Sequence, residues 1–296
     1  MTSVEVIIPV FNDQSRLNRL LALLSEQTLP PSLFSVTVVD NGSDSPVVLP
    51  EGLPFHCRLM FCSKHGSYAA RNVAWPNTQA PWVAFTDSDC LPEITWLETG
   101  LQATRVLVDG QFPRLLAGRI RMVPSSYQVQ SPADLLEIYF GMPQARYVRR
   151  GGYGITANLW VETSLLHALG GFDSLRKSGA DRDFCLRAKK LGVNVLYNEK
   201  SSVCHPARSR DELAVKARRL IGGRIDAAGP RLIWRLAALI MHLRPLIRES
   251  WVCLYLSIPW SQRLQILRLM IDLRLVAVHE WCLLVFSSSS SSSFER

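Results

Sequence analysis

Residues 83–96 read VAFTDSDCLPEITW, a mostly apolar run that passes directly into two aspartates, Asp87 and Asp89, flanking one serine. Such a run ending in carboxylates is what a buried strand looks like where it reaches the edge of its sheet. Working outward, VEVIIPV (4–10) has the same apolar character, and Leu17, Leu20, Leu21 and Leu24 follow it at the spacing of an amphipathic helix that starts near Asp13 or Ser15. VTVV (36–39) stops at Asp40-Asn41-Gly42, a turn signal. The order then repeats through RLMF (58–61), a helical SYAARNVA (67–74), WVAFT (82–86) and a helix from about Pro92 to Val108. Strands alternating with helices predict an α/β fold with a Rossmann-like, mostly parallel central sheet flanked by helices. Ligands bind such sheets beyond the carboxyl ends of the strands, where Asp40, Asp87 and Asp89 all fall.

After residue 150 come a glycine-rich segment, GGYGITANLWV, a short helix closed by Gly170-Gly171, a helix over 181–191 and a strand VNVLY (193–197). From about residue 209 the pattern turns to basic, Leu-rich helices. The seven serines at 287–293 cannot bury a core and read as a disordered polar tail.

Each polar candidate admits a chemical and a structural reading. Two aspartates one residue apart suit a hard divalent cation, Mg²⁺ or Mn²⁺, or a strand-end turn in which Asp87 caps the helix after Pro92. Asp40 is an acceptor within reach of a uracil or thymine imide N–H, or the head of an Asx-turn with Gly42 and Ser43. Arg71 offers charge to a diphosphate or a base, or forms a surface ion pair. Asp181 stands at a helix start, where the dipole favours its ionised form; it is a base or only an N-cap. His205 could complete a metal shell or serve structure alone. Thr156 and Asn158, polar within an apolar run, require partners from a ligand or from the backbone.

Taken in order, VIIPVFND, VVDNGS, HGSYAARN, VAFTDSDCLPEITWL and GGFDSLRKSGADRDFCLRAKKLG resemble the nucleotide-sugar-dependent glycosyltransferases of the GT-A fold, specifically inverting family 2. The resemblance spans about residues 4–206. It implies that Pro9, Phe11, Asp40 and Arg71 line the donor nucleotide, with Asp87 beside it. It further implies that Asp87 and Asp89 bind the metal with help from His205, and that Asp181 is the catalytic base. Thr156, Asn158 and Asp183 would form the sugar and acceptor wall. The family places a Glu-Asp pair at the helix start, whereas this chain has Ala180 before Asp181. The implied organisation is a catalytic domain over 1–208, with a nucleotide half to about 110 and an acceptor half beyond. A helical region over 209–286 and the tail over 287–296 follow it.

Charge and cysteine usage bear on the setting. The chain carries a formal net charge of +8, and Cys204–Phe286 alone holds thirteen Lys and Arg against six acids. Basic amphipathic helices can lie in a membrane interface. No nucleic-acid-reading motif accompanies the charge, so no nucleic acid is expected as a partner. Seven cysteines without a CxxC pair fit a reducing compartment. The N-terminal stretch does not read as a signal peptide, and the longest charge-free run of the basic region, 250–262, is too short to span a bilayer. The expectation is a metal-dependent inverting glycosyltransferase at the cytoplasmic membrane face, serving envelope polysaccharide or glycolipid assembly. It would take a sugar from a UDP- or dTDP-type donor to a glycan or lipid-linked acceptor. The rivals are a nucleotidyltransferase and a non-catalytic nucleotide- or lipid-binding relative.

Overall fold

A computed structural model describes residues 2–108, 110–126, 131–229, 231–242 and 246–286; the serine tail lies outside the described residues. Four strands, β1 (Val4–Val10), β2 (Phe34–Asp40), β3 (His56–Phe61) and β4 (Trp82–Phe85), run parallel in the order β3-β2-β1-β4. β1 and β4 are buried along their whole length, which is why they read as continuous apolar runs and not as alternating ones. Beyond β4 the sheet changes direction. β4 pairs antiparallel with β7 (Leu159–Glu162) and β7 with β6 (Leu115–Val123), while the two-residue β5 (Leu91–Pro92) pairs antiparallel with β8 (Leu196–Pro206). The eight-stranded sheet is therefore mixed, parallel on its N-terminal side only.

The helices of this part are α1 (Gln14–Ser25), α2 (Ser67–Ala74), α3 (Trp96–Ala103), the single turn α5 (Gln144–Arg146), α6 (Thr163–Leu169) and α7 (Ala180–Lys190). α1 buries Leu17, Leu20, Leu21 and Leu24, the stripe its spacing foretells. α3 starts four residues after Pro92 because Leu91 and Pro92 are taken by β8 and Thr95 is the N-cap; Asp87 does not cap it. Gly100 lets α3 approach the sheet, since a Cβ there would lie 2.1 Å from the Trp160 ring. One core cluster includes Ile7, Val83, Phe85, Leu159, Phe172 and Phe184.

The chain divides into two compact units. Residues 1–121, 142–175 and 179–206 form the first, and 122–141, 176–178 and 207–296 the second. The second contains α4 (Pro132–Phe140), α8 (Arg210–Ala228), α9 (Leu232–His242), α10 (Ile247–Leu254) and α11 (Trp260–Phe286). Leu135, Leu136, Leu213, Cys253, Ile266 and Leu269 share a core there. Glu137, only 2% exposed, accepts hydrogen bonds from Arg208 and, at 2.7 Å, from the Lys216 ammonium. A buried carboxylate needs such pairing to remain ionised. Among the described residues, no helix is long and apolar enough to cross a membrane.

Candidate active site

The loops that follow β1, β2 and β4, together with α2 and the start of α7, carry nearly all the residues singled out above. Pro9 is buried in β1, opposite Val39 of β2, and Phe11, just past the strand end, is half exposed and edge-on to His65 at 6.4 Å. Asn12 takes a positive φ of 51° and braces the two loops, its amide bonding Asp44 at 2.8 Å and its backbone N–H donating to Ser43 Oγ. Asp40 closes β2, buried, with one carboxylate oxygen accepting the Ser43 N–H at 2.9 Å. The bond reaches the residue three positions on, so the Asp40 side chain pins the turn after β2 without closing a two-residue Asx-turn. Next to it, Asn41 donates to the Cys62 and Lys64 carbonyls and accepts the Gly66 N–H, fixing where α2 begins.

α2 presents Tyr68 and Arg71 one turn apart on the same face. The Arg71 side chain is 2% exposed, and its Nη2 donates to Asp87 Oδ1 at 2.5 Å. Its Nε and Nη1 are buried with no hydrogen-bond partner among the described residues. The surface ion pair of the structural reading is therefore wrong: this guanidinium is interior and only partly satisfied. Its neighbour Asn72 bonds both the N–H and the carbonyl of Phe172, at 3.0 and 2.6 Å, and so ties α2 to the loop before α7.

Asp87, Asp89, Cys90 and His205 bring one ligand atom each within 4.8 Å of one another. His205 is fully buried; its Nδ1 lies 2.7 Å from the Pro206 carbonyl and its Nε2 3.4 Å from Asp89 Oδ2. A proton on Nδ1, donated to that carbonyl, leaves the Nε2 lone pair facing the aspartate, as metal-binding histidines are commonly oriented. Two carboxylates and an imidazole suit Mg²⁺ or Mn²⁺. Cys90 is unsuited to this role. Burial, and then the charges of Asp89 and Asp87, push its thiol well above the ordinary range, and Sγ already approaches the Ala157 carbonyl at 3.7 Å.

Asp181 lies inside the first turn of α7, behind the N-cap Gly179, so it is not itself the cap. It is 8% exposed and accepts the Arg182 N–H at 2.8 Å. Burial raises its carboxyl above the usual aspartate value, while the Arg182 N–H, the Arg71 charge, the Thr156 N–H and the Tyr68 hydroxyl pull against that rise. Ala180 is fully buried in the core cluster with Phe172 and Phe184, so in this chain the departure from the family's glutamate points into apolar packing.

Two expected wall residues are engaged elsewhere. Asn158 is fully buried: its amide N–H groups donate to the Arg119 and Ser201 carbonyls, both at 2.9 Å, and its oxygen accepts Trp96 Nε1–H at 3.0 Å. Gly118 makes room for it, since a Cβ there would lie 2.3 Å from the amide nitrogen. Asp183 pairs with Arg187 at 2.9 Å, and Arg187 in turn donates to the Leu169 and Gly171 carbonyls. Thr156, buried, remains beside Asp181 through its backbone N–H. The sequence reading missed Tyr68, whose signal is its position three residues before Arg71 on one helix.

Residues 5–106 match the model of Glycosyl transferase family 2. That stretch is a glycosyl transferase family 2 domain. Over 235 residues the chain is 29% identical to Glycosyltransferase AglE of Haloferax volcanii, covering 75% of its own length and 73% of that protein. It is 32% identical over 225 residues to the Pre-mycofactocin glycosyltransferase of Mycobacterium tuberculosis, covering 72% of its own length and 45% of the other, so it spans under half of that protein. Among solved structures, a mannosyltransferase of Pyrobaculum calidifontis in complex with GDP-Man and Mn²⁺ aligns at a TM-score of 0.57 and 18% identity, over 94% of this chain and 86% of that one. S. aureus TarS with UDP-GlcNAc aligns at 0.52 and 16%, over 96% and 90%. At these identities the likeness is one of fold, and the fold is GT-A.

Asn158→Ala strands two buried carbonyls and an indole N–H. It is expected to lower unfolding stability by about 3 kcal/mol, measured by chemical denaturation. A loss below about 0.5 kcal/mol would show that the amide is not the staple described.

Proposed function

We propose that the chain is a metal-dependent inverting glycosyltransferase that moves a sugar from a nucleoside-diphosphate donor to a glycan or lipid-linked acceptor in envelope polysaccharide or glycolipid assembly. The observation that carries this reading is the buried Arg71 guanidinium, bonded to Asp87 on one side and within the field of Asp181, with Nε and Nη1 unbonded. Each buried, unbonded polar group costs about 1–3 kcal/mol. A diphosphate oxygen is the partner that removes this cost. The solved neighbour with GDP-Man and Mn²⁺ supports the metal and the donor class.

Asp87, Asp89 and His205 would hold the cation, which when bound supplies Lewis-acid stabilisation of the departing phosphate. Asp40 would take the base edge, its carboxylate suited to an imide N–H, which favours UDP or dTDP carriers. Pro9 and Phe11 would flank the nucleotide. Single in-line displacement needs one base opposite the leaving group, and Asp181 has the required properties. Its burial raises its proton affinity, which makes it a stronger base than an exposed aspartate, while the bonds from Arg182, Thr156 and Tyr68 fix its direction. Asp181 must be ionised to accept the acceptor hydroxyl's proton, so transfer falls as pH drops through this raised pKa. Thr156, Asp183 and Asn158 shape the acceptor wall by holding its backbone.

Membrane contact is proposed from the second unit. Arg263 lies 4.4 Å from the Trp260 ring centroid and donates to the Leu254, Leu256 and Ile258 carbonyls, which fixes a turn where Trp251, Tyr255 and Trp260 are all exposed. Aromatic side chains with polar handles favour the bilayer interface.

Two substitutions separate the roles. Asp89→Ala is expected to abolish Mn²⁺-dependent turnover of a sugar nucleotide, and near-normal transfer by it would remove the metal assignment. Asp181→Asn is expected to keep donor binding by thermal shift while transfer falls about a thousandfold; unchanged turnover would place the base elsewhere. In co-sedimentation, the chain should pellet with vesicles of equal parts phosphatidylcholine and phosphatidylglycerol, and Trp251→Ala with Trp260→Ala should weaken this roughly tenfold. Equal pelleting of the variant would dismiss the aromatic turn as the contact.

A further inference from the structure

Residues 146–153, RYVRRGGY, contribute nothing to the metal cluster, yet their backbone is unusual. Tyr147–Gly151 form a π-helical turn that closes on Gly152 at φ 64°. π turns are rare and concentrate at functional sites. The segment is tethered at both ends: Gln144, buried, exchanges hydrogen bonds with the Ile155 N–H and the Asn158 carbonyl, each at 2.9 Å. Two residues past Gly154, the Thr156 N–H reaches Asp181. The π turn is thereby anchored beside the candidate base.

The Tyr147 and Tyr153 rings stack at 5.1 Å and 15°. Along α7, Arg182 and Lys189 are seven residues apart and so share one face of the helix. The glycine-rich segment follows that face: the Arg182 guanidinium lies 5.8 Å from the Tyr153 centroid, and a Cβ on Gly152 would lie 3.9 Å from Lys189 Nζ. Arg149, Arg150, Arg182 and Lys189 are exposed, and none forms an ion pair with a carboxylate among the described residues. Four exposed cations on the π turn and on the adjoining face of α7, with Asp181 buried and Asp183 already paired to Arg187, leave this surface positive.

We propose that this surface is the acceptor subsite and that it selects acceptors carrying a phosphate group close to the sugar whose hydroxyl is glycosylated. This rests on the reading of Asp181 as the base. The stacked tyrosines offer a flat apolar face to a sugar ring. The arginine forks match phosphate oxygens two at a time. A phosphate monoester, with roughly −1.5 to −2 charges, balances the cluster better than one carboxylate does, and any phosphate offers the forks paired oxygens.

The test is calorimetric titration of the full chain at physiological ionic strength, with and without UDP and Mn²⁺. The probes are glucose 1-phosphate, phytanyl phosphate in micelles, glucuronic acid and methyl glucoside. At least one phosphate probe should bind about tenfold more tightly than methyl glucoside, and which of the two does so distinguishes a soluble sugar phosphate from a lipid phosphate. Arg149→Ala with Arg150→Ala, both exposed, should weaken that probe about tenfold and leave methyl glucoside binding and thermal stabilisation by UDP and Mn²⁺ unchanged. Phosphate probes no tighter than methyl glucoside, glucuronic acid as tight as the phosphates, or a double variant that binds them unchanged would each overturn the proposal. Failure of the donor reading appears separately, as no stabilisation by UDP and Mn²⁺ in either protein.

Discussion

The bond between the Arg71 guanidinium and Asp87 is the constraint on which the site depends. Placing a guanidinium at 2% exposure is costly unless carboxylates surround it. Here one carboxylate is bonded at 2.5 Å and a second, Asp181, lies within its field. The Tyr68 ring lies beneath the same charge, 5.7 Å from its centroid, a cation–π arrangement. Removing the arginine would take from both acids the positive charge that each now feels.

The scaffold around α2 keeps that charge in place. Asn41 sets the start of the helix from the end of β2, and Asn72 bonds both backbone groups of Phe172 in the loop that leads toward α7. The parallel half of the sheet therefore delivers Asp40 and Asp87 at strand ends, α2 delivers Arg71 and Tyr68, and the antiparallel half delivers His205 from β8. The change of direction at β4 has a consequence for the chemistry. It brings a strand from late in the chain back to the carboxyl end of an early one, so that Asp89 and His205 meet at 3.4 Å.

Much of this was legible in the residues. Largely buried strands and a clean leucine stripe marked β1, β2, β4 and α1, and the motif order pointed to the family 2 domain and singled out Asp87 and Asp89, which the fold places beside His205. What stayed hidden has local physical causes. β6 begins fully buried and then alternates through the exposed Arg119 and Arg121, so it fits neither strand pattern along its length. Leu91 and Pro92 look like the start of a helix until a distant strand claims them. Asn158 and Asp183 carry the chemistry of ligand contacts, but backbone carbonyls and Arg187 use that chemistry first, and only the fold reveals those partners. The burial of Arg71 was equally unreadable, because a charge on a helix is ordinarily solvated.

The most direct measurement is the anomalous difference map of a crystal grown with Mn²⁺ and UDP. A manganese peak is expected in contact with Asp89 and with His205 Nε2, and a diphosphate oxygen within hydrogen-bond distance of Arg71 Nε or Nη1. Manganese bound away from these side chains, or a diphosphate that leaves both arginine nitrogens without a partner, would contradict this arrangement.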